Sequence, residues 1–96
     1  MTAIKWSPQA IRDVESIRDY IAQDSPRYAE LTVGRILSSV ERLHAFPQSG
    51  RVVPERGNPE IREVIVGPFR VVYRYRVGVV EIATVFRASR LFPTLQ

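Results

Sequence analysis

The chain contains no cysteine, one lysine and one histidine among its 96 residues. Without cysteine there is no disulfide framework, no thiolate-held zinc ion and no cysteine nucleophile. With only Lys5 and His44 beside the arginines, few basic groups can exchange protons near neutral pH, because guanidinium stays protonated. No apolar run approaches the ~18 residues that span a bilayer, so no membrane partner is expected. The N-terminal "MTAIKWSPQ" lacks an apolar signal region, and a cytoplasmic location is the expectation. Histidine, aspartate and glutamate do not cluster at metal-ligand spacing, and there is no glycine-rich phosphate loop. Neither a metal nor a cofactor is expected.

What is present is an ordinary globular composition, 45% hydrophobic and 25% charged, which excludes a disordered chain. Ninety-six residues make a single domain, 1–96, with room for one small core. The charge is distributed unevenly. Fourteen basic against ten acidic residues give +4, and thirteen of the basic residues are arginine. Residues 1–48 are balanced, whereas residues 49–96 hold eight arginines and four glutamates. Arginine suits bidentate contact with carboxylate or phosphate. The second half therefore points to an anionic partner, set against the plainer reading of a basic solubilising surface.

"AIKW" at 3–6 is a strand candidate. Ser7-Pro8 then reads as an N-cap followed by proline at the first helical position. Ala10, Val14, Ile17 and Ile21 form one stripe of a helix running to about Gln23. "DSPR" at 24–27 repeats the start signal, with Asp24 or Ser25 as cap. Ala29, Val33, Ile36, Leu37, Val40 and Leu43 predict a second helix over about 26–45, stopped at Phe46-Pro47. Two amphipathic helices so closely joined form an antiparallel hairpin. Residues 47–60 hold three prolines and two glycines and read as a loop without a regular element. "IREVIV" (61–66), "FRVVYRYR" (69–76) and "VVEIATVF" (79–86) then predict three strands in an antiparallel meander. The fold class is α+β: a helical hairpin on one face of a mainly antiparallel sheet, in the order β-α-α-β-β-β.

Alternation assigns the faces. Phe69, Val71, Tyr73 and Tyr75 share one side of their strand and belong under the helices, while Arg70, Val72, Arg74 and Arg76 share the other and are expected to face outward. On the last strand Val80, Ile82, Thr84 and Phe86 alternate with Val79, Glu81, Ala83 and Val85. Arg87 and Arg90, just past it, are expected to extend the basic surface.

The run "IREVIVGPFRVVYRYRVGVVEIATVFRASR" resembles the C-terminal half of the RelE/ParE superfamily of toxins from bacterial type II toxin–antitoxin systems. Arg62, Gly67, Phe69-Arg70-Val71, Tyr73 and Arg90 fall on that family's positions. "WSPQAIRDVESIRDYIAQDSP" is similar to its first helix and turn, and "FPQSGR" to the link after its second helix. The long first helix looks like the ParE branch. One departure stands out, because "RASR" replaces a His-Gly-Arg-Arg type ending, with Arg87 where the histidine would be.

The resemblance implies a toxin that inhibits DNA gyrase without a nuclease site, the alternative being a ribosome-dependent mRNA endonuclease of the RelE kind. It also implies an acidic, ParD-like antitoxin whose C-terminal segment folds on binding, in a hetero-oligomer. Target-binding candidates are Arg70, Arg74, Arg87 and Arg90. Antitoxin-binding candidates are Tyr20, Tyr28, Leu31, Arg62, Arg74 and Arg76, the first three because they lie off the main helical stripes.

If the chain were a nuclease, Arg62, Arg70, Arg87 and Arg90 would stabilise the phosphorane charge, but they cannot move a proton. His44, at a helix end, reads first as a dipole partner, and Tyr73 and Tyr75 as core aromatics. Glu55, Glu60 and Glu63 are the candidates for a base, and Glu81 is expected to pair with an arginine. Direct binding of nucleic acid stays open, although buried aromatics would leave no stacking platform.

Overall fold

The computed structural model describes residues 1–93. β1 (Ala3–Trp6) leads into α1 (Pro8–Ala22), whose first turn is capped by Ser7 accepting from the Ala10 amide at 3.0 Å. After a short link, Ser25 caps α2 (Pro26–Glu41) in the same way, accepting from the Tyr28 amide at 3.1 Å. Each cap satisfies an N–H that the helix itself cannot, and the following proline has no N–H to orphan. A 3₁₀ turn, Arg42–His44, follows α2, so the regular helix is slightly shorter than the apolar pattern predicts.

Four more strands complete a five-stranded sheet: β2 (Arg51–Val52), β3 (Ile61–Val66), β4 (Phe69–Arg76) and β5 (Val79–Arg87). Their order is β1-β5-β4-β3-β2, with β1 parallel to β5 and the other pairs antiparallel. β2 corrects the reading of residues 47–60 as wholly irregular; its two residues pair with Arg62 and Glu63. The turns after β3 and β4 use Gly67 and Gly78 at positive φ, 56° and 85°, where a Cβ would strain the backbone.

The α+β hairpin-on-sheet architecture is as expected. Ala10 of α1 and Ile36 and Val40 of α2, with Leu43 beyond, pack on Phe69, Val71, Tyr73, Val80 and Ile82. Each large side chain removed from water here contributes about 1.5–3 kcal/mol. Leu37, placed on the stripe by its spacing, is exposed, while Thr32 is buried instead.

Two face assignments differ from the alternation rule. The β4–β5 register shifts between Val72 and Tyr73, where Val72 pairs with Thr84 and Tyr73 with Ile82. Ala83 is the extra residue of a bulge, which reverses the parity of everything after it. Val85 therefore joins Val80 and Ile82 under the helices, and Phe86 turns to the opposite side. That opposite side is not an open arginine surface either. Val53, Ile61, Val72 and Phe86 form a second small core there, with Phe92 packed on it. The apolar residues flanking the arginines draw the 53–60 loop and the C-terminal segment over the sheet.

β1 covers only the first part of β5, which leaves a backbone edge beyond Ile82. Side chains of α1 and its cap close it. The Ser7 hydroxyl donates to the Ala83 carbonyl at 2.8 Å. Asp13 accepts from the Val85 amide at 3.0 Å and from the Thr84 hydroxyl at 2.6 Å.

Of the five glycines, Gly50 is the one whose backbone is closely approached by its neighbours. Its amide donates to the buried Tyr73 hydroxyl at 3.0 Å, which in turn donates to the Pro47 carbonyl at 2.8 Å. A Cβ at Gly50 would stand 2.6 Å from both the Glu63 carbonyl oxygen and the Tyr73 hydroxyl. Gly50→Ala is therefore expected to cost about 1–3 kcal/mol through overpacking, read as a lowered denaturant midpoint. An unchanged midpoint would show that the 47–50 link is free to move.

Candidate functional site

The β3–β4 turn is two residues long, and this fixes the register: Ile65 faces Arg70, and Glu63 faces Val72. Glu63 and Arg70 are thus diagonal neighbours on the same side of the sheet, within side-chain reach. Arg70 is buried there. Its Nε donates to Glu63 at 2.5 Å, while Nη1 and Nη2 donate to the two oxygens of Glu55 at 2.7 and 2.8 Å. The second oxygen of Glu63, whose side chain is fully buried, accepts from Arg51 Nε at 2.6 Å. The Phe86 and Phe92 rings meet edge to face at 5.6 Å, and the Arg70 guanidinium lies 5.3 Å from each centroid.

Arg70 is therefore not part of an outward basic row. Every nitrogen of its fork is engaged and aromatic rings lie beside it. The reason is the charge of its neighbours: a guanidinium among apolar groups needs carboxylates, and Glu63 and Glu55 supply them. The Glu55 hydrogen bonds, aided by Glu63, raise the Arg70 pKa above the usual arginine range. Those same bonds pull the partly exposed Glu55 carboxyl down to about 2.

The other candidates are dispersed. Arg74 and Arg76 share Glu60, at 3.5 and 3.3 Å. Arg62 lies on the helix-covered side and donates through Nη1 to the Gly50 carbonyl at 3.0 Å and the Gln48 carbonyl at 3.4 Å. Glu55, Glu60 and Glu63, the candidate bases, are all paired with arginine. Glu81 is exposed and, among the described residues, has no ion pair; Lys5 and Arg74 are its register neighbours. His44 holds the N-terminal segment, with Nδ1 2.7 Å from the Thr2 carbonyl and its own carbonyl accepting from the Thr2 amide at 3.2 Å. Tyr73 lies in the core, where burial pushes its phenol pKa up.

Arg87 and Arg90 lie elsewhere. The bulge at Ala83 sends Arg87 to the helix side, its guanidinium 5.1 Å from the Phe69 centroid. Together with Arg90 it edges a groove of about 520 Å³ between α1 and the end of β5, whose apolar lining includes Ile17, Tyr20, Ile21 and Phe69. Sequence reasoning missed this groove because parity counted straight through the bulge sends Arg87 to the wrong face. The remaining candidates, Tyr20, Tyr28 and Leu31, are 65%, 52% and 50% exposed. The end of the "LFPTLQ" segment, residues 94–96, lies outside the described residues.

A helical hairpin on a five-stranded sheet that ends in a basic strand terminus is the architecture of a toxin from a type II toxin–antitoxin system. Residues 4–92 match the family described as the ParE toxin of the type II toxin–antitoxin system parDE, and the chain belongs to that family. It is 33% identical over 92 residues to Toxin RelE2 of Caulobacter vibrioides, an alignment covering 95% of this chain and 100% of the relative. A solved structure described as the chromosomal ParDE TA system from P. aeruginosa superposes with a TM-score of 0.74 at 26% identity, covering 91% of this chain and 96% of that one.

Arg70→Ala leaves the fully buried Glu63 carboxylate with one oxygen unpaired and Arg51 as its remaining cation, and is expected to cost about 3 kcal/mol, measured by denaturant unfolding. A loss under about 1 kcal/mol would mean that Glu63 finds other support. The Glu55 pair sets a pH window. A depressed carboxyl pKa contributes stability above its ordinary value of 4.5, and that contribution is lost as pH falls toward about 2. Glu55→Gln should flatten the stability profile between those limits. An identical acid limb in both proteins would exclude the pair as its source.

Proposed function

We propose that this toxin acts in the cytoplasm by binding DNA gyrase and so blocking replication, and that a cognate acidic, ParD-like antitoxin holds it silent in a hetero-oligomer. The observation that favours target binding over RNA cleavage is the commitment of Arg70. A ribonuclease working through 2′-oxygen attack needs a base, an acid and a cation free to meet the developing charge. Arg70 already spends Nε, Nη1 and Nη2 on two carboxylates, and the glutamates nearest to it are held by arginines. A carboxylate with a pKa near 2 is also a weak base.

The groove beside Arg87 and Arg90 supports a protein target. Arginine and tyrosine are enriched among the residues that dominate protein interfaces, particularly beside an apolar pocket. Arg87, Arg90 and Tyr20 offer that combination at one end of the sheet. Arg74, the remaining target candidate, would have to release Glu60 first. The antitoxin is expected to use the exposed side chains of Tyr20, Tyr28 and Leu31, with its carboxylates facing the arginine-rich half.

The test is gyrase supercoiling in the presence of the purified chain, alongside ribosome-bound mRNA in a translating extract. Supercoiling should be inhibited and the mRNA left intact. Arg87→Glu/Arg90→Glu should weaken inhibition at least tenfold with an unchanged melting temperature. Cleavage of A-site mRNA by a preparation that leaves supercoiling untouched would reverse the assignment in favour of the ribosome-dependent nuclease.

A further inference from the structure

The placement of Arg87 depends on one backbone irregularity. Alternation carried straight from Val80 and Ile82 would put Phe86 under the helices and send Arg87 to the opposite side. The extra residue at Ala83 exchanges them. Val85 joins the helix-side core and Phe86 turns to the far side. Arg87 comes opposite Phe69 in the β4–β5 register, with its guanidinium 5.1 Å from that ring. No glycine marks the bulge, and among the described residues positive φ is confined to Gly57, Gly67 and Gly78. Local backbone preference therefore does not dictate it.

Side chains of α1 and its cap do. The Ile82 carbonyl accepts from the Ser7 amide at 2.9 Å, so Ile82 turns its backbone groups toward the β1 side. In a regular strand Thr84 would be the next residue to do so, and the Val85 amide would point toward β4. Instead the Val85 amide donates to Asp13 Oδ2 at 3.0 Å, and the same oxygen accepts from the Thr84 hydroxyl at 2.6 Å. The Ser7 hydroxyl holds the Ala83 carbonyl at 2.8 Å. The two Asp13 bonds are compatible only with the shifted register. A one-residue slip would withdraw the Val85 amide and swing the Thr84 side chain to the other face. Bonds to an ionised acceptor are roughly twice as strong as neutral ones, so the carboxylate weights the strand toward the bulge.

Asp13 does not act on Arg87 directly. Its other oxygen, Oδ1, accepts from Gln9 Nε2 at 2.7 Å. Among the described residues it forms no ion pair. It lines the same groove as Arg87 and Arg90, yet both of its oxygens are committed. Its connection with Arg87 runs through the backbone of residues 84–87.

We infer that Asp13 is a positioning residue for target recognition. By gripping Thr84 and Val85 it fixes the parity of β5 that puts Arg87 over Phe69 at the rim of the groove. A guanidinium laid over a ring keeps its edge nitrogens for a carboxylate. The inference rests on the reading of the Arg87–Arg90 groove as the gyrase contact.

The experiment follows two readouts in the purified full chain, both well below the melting temperature of each variant. One is the set of nuclear Overhauser contacts between the Arg87 side chain and the Phe69 ring; the other is inhibition of gyrase supercoiling. Asp13→Ala should lose the contacts and weaken inhibition about tenfold or more, the scale on which loss of a central interface arginine is felt. Asp13→Asn keeps an oxygen for Thr84 and Val85, and the exposed Gln9 can turn its amide to meet the new N–H. It should restore both the contacts and the inhibition. Lower stability alone would move neither readout in the folded protein. Contacts and inhibition both intact in Asp13→Ala overturn the inference, as does loss of either one without the other. Should Asp13→Ala fail to fold, Thr84→Val removes one of the two bonds with a side chain of nearly equal shape. Both readouts should then weaken, and values matching the wild-type chain overturn the inference. A wild-type chain that leaves supercoiling untouched removes the gyrase reading, and the Arg87–Phe69 contacts then decide by themselves whether Asp13 places Arg87.

Discussion

A guanidinium among apolar side chains is tolerable only if every nitrogen finds an acceptor and the charge is balanced nearby. Arg70 meets that demand by drawing together parts of the chain that are otherwise distant. Glu63 comes from the neighbouring strand, Glu55 from the loop after β2, and the Phe86 and Phe92 rings from the last strand and the segment beyond it. Arg51 then neutralises the outer oxygen of Glu63 and helps to set β2 at the sheet edge. The second small core, Val53, Ile61, Val72 and Phe86, packs around this ionic centre. Replacing Arg70 by an apolar residue would leave the buried Glu63 with Arg51 alone, and removing Glu63 would leave Arg70 with Glu55 alone and its Nε unpaired. Arginine and carboxylates are thus mutually required, and the loop order follows from them.

Most of the fold was legible in the sequence because its local signals agree with one another. Ser7-Pro8 and Ser25-Pro26 start helices for the same physical reason, and the glycine-bearing two-residue breaks at 67–68 and 77–78 close the meander. The apolar stripes of the helices and the Phe69–Val71–Tyr73 face of β4 then have only each other to cover. The errors came from interactions that local pattern does not encode. A bulge is invisible to alternation, which groups Thr84 and Phe86 with Val80 and Ile82 although the chain shifts register at Ala83. β2 is too short for any periodicity and exists because β3 offers it an edge.

The candidate site was less legible, but one part of it was within reach. A two-residue turn fixes the pairing arithmetic of β3 and β4, and that arithmetic places Glu63 diagonally across from Arg70. Counting glutamates as possible bases overlooked that a carboxylate beside an arginine in a half-buried strand is first a structural partner. The groove at Arg87 and Arg90 was out of reach, since it depends on the bulge and on the way α1 lies across β5.

These assignments also change what the basic second half means. Its arginine excess looked like one anionic-partner surface, yet Arg51, Arg70, Arg74 and Arg76 are absorbed by Glu55, Glu60 and Glu63. Arg62 is turned toward backbone carbonyls on the helix side. The charge still available for recognition is therefore concentrated at Arg87 and Arg90, with Arg56 exposed in the loop and Arg35 of α2 and Arg42 of the 3₁₀ turn contributed by the half of the chain whose net charge is zero. A balanced half can present a positive surface when its acids lie elsewhere, and a basic half can be internally neutralised. Net charge by segment reports composition; which arginines meet a partner is decided by the register that pairs some of them with glutamate and leaves the others at the edges of grooves.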